Sequence, residues 1–234
     1  MSGARATILG AIKGALADAS LPETARPADG PKPAERLAAH RANLIPARGK
    51  LGHKARVDLF IREAERVNAT VARVSGLAAV PREIAHYLSK HNLPTKLRIA
   101  PALAGPDVPW TAQTLLSVDA GRALGTDEVG VSRAFAGVAE TGTLVLASGP
   151  LNPTTLNFLP STHVVVLRAA DLAGDYEEAW ARLRKENAQA EKGFMPRALN
   201  WITGPSRTAD IEQTLLLGAH GPQRLHIVIV DDAE

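Results

Sequence analysis

Three near-continuous apolar runs, at residues 163–167, 199–203 and 225–230, constrain this chain more than any other feature. Each is short and bounded by glycine, proline or aspartate, which marks a strand buried on both faces rather than on one. Between them lie helical patterns, with Tyr176, Ala179, Trp180 and Leu183 in one and Ile211, Leu215 and Leu216 in the other. Each is long enough to serve as the crossover that a parallel pair requires. The expected fold class is α/β, with an open, mostly parallel sheet covered by helices on both faces. Further strand candidates lie at 97–100, 114–118 and 143–147. In such sheets ligands sit at the carboxyl ends of the strands.

The N-terminal region reads differently. Pro22, Pro27, Pro31, Pro33 and Pro46 fall within residues 20–53, predicting an extended arm with one short helix at 34–43. Ahead of it, Ile8, Leu9, Ile12 and Leu16 suit an amphipathic helix, and Lys13 and Asp18 interrupt it too often for a membrane or targeting segment. The chain therefore divides into an arm over 1–53 and one α/β domain over 54–234. The domain opens with Val57, Phe60, Ile61, Ala64, Val67, Val71 and Val74 at helical spacing, which predicts a helix over 54–75. Pro81 begins a second helix to His91, with Ile84, Tyr87 and Leu88 on one face.

Composition removes several function classes. The chain has 27 basic and 24 acidic side chains, a net charge of +3 and no run of five like charges, and its aromatic content is 4%. Nucleic acid is not an expected partner of such a surface. Cysteine is absent, which excludes disulfides, thiolate nucleophiles and cysteine-ligated zinc or iron–sulfur clusters within the chain. His86 and His91 are five apart, and no histidine pair has the i, i+4 spacing of a helical zinc site, so no metal site and no intrinsic cofactor are expected. The expected location is cytoplasmic.

Two glycine-centred runs carry the functional signal: Glu140-Thr141-Gly142-Thr143, and Gly204-Pro205-Ser206-Arg207 with the residues up to Glu212. In both, glycine frees backbone N–H groups beside hydroxyls and carboxylates, the local chemistry of a loop that receives an anionic or carbonyl-bearing ligand. The second run is expected to open a helix near Ala209, where Ser206 or Thr208 would cap it and Asp210 and Glu212 would suit its dipole. That arrangement accounts for the capping groups without any ligand. Arg207 suits a carboxylate or phosphate, and His220 suits an anion or proton exchange near neutral pH. Glu140 fits three roles: general base, nucleophile toward an acyl group, or acceptor for neighbouring N–H groups. The predicted ligand-binding set is Thr141, Gly142, Thr143, Gly204, Ser206, Arg207 and His220, converging at one rim of the sheet. His163 reads as a core or edge residue. Ser132 and Ser148 lack a nucleophile-elbow context, and no P-loop or dinucleotide fingerprint is present.

Residues 130–144, then 159–163, then 204–212 with 218–222, closely resemble in that order the lactate utilisation protein C family, whose domain is the LUD domain. The resemblance extends over residues 50–234. It implies a three-layer α/β/α sandwich similar to sugar-phosphate isomerases, coenzyme A transferases and formyltetrahydrofolate cyclo-ligases. It also implies a bacterial three-component system that oxidises L-lactate to pyruvate, with partner subunits that resemble iron–sulfur proteins. A thiol-free chain would be a non-redox subunit there, binding a small anionic ligand or organising its partners. Two alternatives stand beside this one. The first is an enzyme acting on an acyl, formyl or phosphosugar substrate, with Glu140 as its carboxylate and the Gly142 and Gly204 N–H groups as a cradle. The second is an interaction module whose proline-rich arm binds a neighbouring subunit or a second copy of the chain.

Overall fold

Side chains that are apolar at successive positions need a packed layer on each side, and helices supply both layers. The computed structural model describes residues 3–18, 35, 39–188, 193, 195–208, 216–218 and 220–231. The chain divides into two units, Met1–Asn43 and Leu44–Glu234. In the first, α1 (Gly3–Asp18) is helical and exposes Ile8, Leu9 and Ile12. Residues 40–46 carry no regular element, and most of the short helix expected at 34–43 falls outside the described residues.

The second unit runs α2 (His53–Arg66), β1 (Thr70–Val74), α3 (Val80–Lys90), β2 (Lys96–Ile99), β3 (Ser117–Ala120), β4 (Val129–Arg133), β5 (Ala136–Val138) and β6 (Thr143–Ala147). It continues with β7 (Thr162–Arg168), β8 (Leu172–Ala173), α4 (Tyr176–Glu186), β9 (Leu199–Ile202), β10 (Arg207–Thr208), β11 (Leu216–Leu217) and β12 (Arg224–Val230). Six strands form a parallel sheet in the order β1-β12-β7-β4-β2-β3. Along β7 and β12, Val165, Leu167, Ile227 and Ile229 share a core with Val57, Phe60 and Ala64 of α2. The alternate residues Val164, Val166, Val228 and Val230 share the opposite core with Val80, Ile84 and Leu88 of α3. Each such side chain stabilises the fold by about 1.5–3 kcal/mol when buried, so both faces select apolar residues. The fold is α/β, with helices on the two sides of a parallel sheet.

Two sequence expectations are corrected, and a third falls largely outside the described residues. The helix predicted over 54–75 ends at Arg66, and its last valines belong to β1. Asn68 takes a left-handed conformation (φ 68°), its N–H donates to Glu65 O at 2.9 Å, and the Ala69 N–H donates to Ala64 O at 3.1 Å. This is a Schellman stop, with Asn in the place usually held by glycine. Next, β6 and β9 do not join the parallel sheet; they pair antiparallel in a second sheet ordered β8-β5-β6-β9. Residues 139–142 are too few for a parallel crossover, so β5 and β6 form a hairpin. Finally, the helix expected from Ala209 onward lies on residues 209–215, outside those described. Leu216, at its expected end, pairs antiparallel with Thr208.

The second sheet is wedged between α2 and α4. Leu144, Leu146 and Leu172 enter the α2 core, while Val138, Val145 and Ala173 pack on Ala179 of α4. Asp175 caps α4 by accepting from Glu178 N at 2.9 Å, and Arg56 of α2 reaches Glu178 at 2.9 Å. Among the described residues no helix is long and apolar enough to cross a membrane.

Candidate functional site

Both glycine-centred runs dock on the C-terminal end of α2. Gly142 (φ 65°) lies so close to the Glu63–Ala64 backbone that a Cβ would overlap it, and Gly204 (φ 75°) stands in the same way against Val67 O. Only glycine reconciles a positive φ with that approach. The runs also meet directly. Leu144 pairs with Ile202, and Thr143 Oγ1 lies 2.7 Å from Thr203 Oγ1. Tyr176 OH joins them, 3.0 Å from Thr143 Oγ1 and 3.1 Å from Thr141 Oγ1.

Beyond Thr203 the chain opens a hollow of about 520 Å³. Gly204, Ser206, Arg207 and His220 line it, together with Trp201, Thr203, Asn157, Phe158, His163 and Leu225. His163 and Leu225 are the second residues of β7 and β12, so the hollow opens at the amino ends of those strands, opposite the carboxyl-end crevice expected of an open α/β sheet. Ser206 is held by its backbone: its N–H donates to Pro222 O at 2.9 Å and its carbonyl accepts from Gly218 N at 2.9 Å. Arg207 Nη2 donates to Val67 O, which ties this turn to the end of α2. Among the described residues no aspartate or glutamate lines the hollow, and Arg207 supplies a guanidinium to its wall.

Thr141, Gly142, Thr143 and Glu140 do not line it. Thr143 is fully buried and reaches it only through Thr203. Glu140 is 6% exposed, donates its backbone N–H to Gly174 O at 3.2 Å and leaves Oε2 without a hydrogen-bond partner. Burial holds its carboxyl above the ordinary range, Arg48 counters this, and Asp175 adds to it. Of the eight residues singled out in the sequence, four thus share one hollow and four pack behind it.

Sequence reasoning passed over a buried pair in the wall. His163 is fully buried, its Nε2 lies 2.7 Å from Ser132 Oγ, and its Nδ1 has no partner. The ring tautomer decides which of the two groups donates in this contact. Burial lowers the His163 pKa to about 3, so the ring is neutral at physiological pH. The available signal was a serine and a histidine on two apolar runs, whose adjacency only the pairing of β4 with β7 creates. Among the described residues no group of three or more His, Asp or Glu side chains is arranged to hold a metal ion.

Known proteins share both sequence and fold with this chain. The sequence profile of the LUD domain matches residues 57–230. "Lactate utilization protein C" of Geobacillus sp. (strain WCH70) is 37% identical over 105 residues, 44% of this chain and 42% of that protein. An uncharacterized protein of Neisseria meningitidis serogroup B is 34% identical over 121 residues, covering 52% and 46%. These alignments span less than half of the relatives' own length. The crystal structure of a DUF162 family protein from Deinococcus radiodurans superposes with a TM-score of 0.58 at 22% identity, over 77% of this chain and 99% of that one, a likeness of fold. With the family profile matching most of its length, the chain belongs to the LUD domain family.

Proposed function

We propose that this protein is a non-redox, cytoplasmic subunit of a bacterial system that oxidises L-lactate to pyruvate, and that its hollow binds a small anionic ligand. The observation that carries the ligand is the lining itself: the Arg207 cation, the Ser206 hydroxyl and the His220 imidazole, with no carboxylate opposing them among the described residues. Relatives named lactate utilization protein C support the pathway. Iron–sulfur clusters of such a system would be carried by partner subunits, since a chain without cysteine offers no thiolate to ligate them. Titrating the purified chain with L-lactate and with pyruvate tests the hollow. Arg207→Ala should weaken binding about tenfold or more, because a charge-assisted hydrogen bond is worth about 1.5–3 kcal/mol. Saturable binding that survives this change removes the hollow from the proposal. Deleting the chain should abolish growth on L-lactate, and undiminished growth would remove the pathway.

A second reading makes Glu140 a catalytic carboxylate toward an acyl, formyl or phosphosugar substrate. What favours it is a buried carboxyl with a free Oε2 and a raised pKa, the condition of a group that holds a proton for transfer. Its test is Glu140→Gln, which should end turnover of such a substrate and spare the fold; an active, folded variant excludes it.

A further inference from the structure

The β6–β9 ladder has a cleft at each end. One is the hollow beyond Thr203; the other, of about 710 Å³, lies past Ala147 and ahead of Leu199, with Arg122 and Arg197 in its walls. Arg122 follows β3, and Arg197 precedes β9. Among the described residues neither guanidinium has a hydrogen-bond or ion-pair partner, and no carboxylate lines the cleft. Elsewhere in the chain Arg56, Arg73, Arg98 and Arg182 are each engaged by an acid.

The backbone beside each of these two arginines is fixed by a hydroxyl of the same cleft. Ala123 N donates to Thr155 Oγ1 at 3.0 Å, and Ala198 N donates to Ser148 Oγ at 2.8 Å. The second link is doubled by Ser148 N donating to Ala198 O at 2.9 Å. Two arginines on anchored backbone thus line one concavity, beside Thr154, whose hydroxyl has no partner among the described residues. A guanidinium presents paired N–H donors that match phosphate oxygens, and two of them with a hydroxyl supply more donors than one carboxylate accepts. The volume falls in the range of small-molecule sites and exceeds what a three-carbon acid fills.

We propose that this cleft is a second ligand site, taking the phosphate or diphosphate group of a small phosphorylated molecule on Arg122 and Arg197. It is independent of the hollow that holds Arg207. The test is calorimetric titration of the full chain with inorganic pyrophosphate, with L-lactate as the control. Pyrophosphate should bind saturably, and the double variant Arg122→Ala/Arg197→Ala should bind at least tenfold more weakly while melting at the unchanged temperature. Arg122→Lys/Arg197→Lys should also weaken binding, since lysine keeps the charge and loses the paired donors. Arg207→Ala should leave pyrophosphate binding as it was. The proposal is overturned if pyrophosphate does not saturate the chain, if the double alanine variant loses less than tenfold, or if Arg207→Ala removes the binding instead.

Discussion

The two glycine-centred runs share a composition, yet one is closed and the other open. Around Gly142 the hydroxyls of Thr141 and Thr143 turn inward to Tyr176 and Thr203. Around Gly204 the chain is pinned by backbone bonds at Ser206, which leaves side chains directed at the hollow. What lies opposite decides the outcome. The first run meets the last turn of α2 and the second meets Val67 just beyond it, where the Schellman stop at Asn68 turns the chain away. Glycine and hydroxyls in a loop therefore specify close approach, and the partner element specifies whether a ligand or a side chain takes the hydrogen bonds.

The largest expected effect comes from breaking the closed run. Gly142→Ala places a methyl in the α2 backbone at a positive φ, and its cost should be about 3 kcal/mol or more from strain and overpacking together. Urea unfolding measures it, and a loss below about 1 kcal/mol would mean that α2 is not seated as described.

Acid should act next, and with opposite sign on the buried histidines and on Glu140. His163 and His226 are held below their ordinary 6.5, at about 3 and about 4, His163 by burial and His226 by burial first and then by His91. A depressed folded pKa means that this stability is complete above pH 6.5 and is lost as pH falls through the folded values, a loss on the order of a few kcal/mol. Glu140 is raised, so its contribution is present below 4.5 and is lost as pH rises through its folded value. Glu140→Gln should accordingly be more stable than the parent at pH 7. Unfolding free energies measured from pH 8 to pH 3 check both signs.

Much of this was legible because apolar periodicity reports burial. Residues 163–167 and 225–230 could only be strands with two covered faces, and Pro81 marked the start of α3 closely. The junction after α2 was not legible from spacing, because Val67, just past the helix, and Val71 and Val74, in the strand, continue a helical pattern. Its one local sign was Asn68. Sheet membership was equally hidden: β6 and β9 read like their neighbours, and only the short β5–β6 connection separates them from the parallel sheet. In the site, Gly204, Ser206, Arg207 and His220 were found through local turn chemistry. His163 with Ser132 was missed because a contact across 31 positions has no local signature.

The smallest effects sharpen the contrast most. Thr143→Val keeps the shape of the side chain and leaves the Thr141, Thr203 and Tyr176 hydroxyls short of a shared partner, which should cost about 1–2 kcal/mol. Ser206→Ala removes a hydroxyl of the same kind from the open run. The backbone bonds to Pro222 and Gly218 do not involve that hydroxyl, and it has no partner among the described residues, so stability should move by less than about 0.5 kcal/mol. Anion binding in the hollow should fall in the same variant. Thermal unfolding and ligand titration on the two variants separate the roles: equal destabilisation would make Ser206 part of the wall, and the distinction between an open and a closed run would not hold.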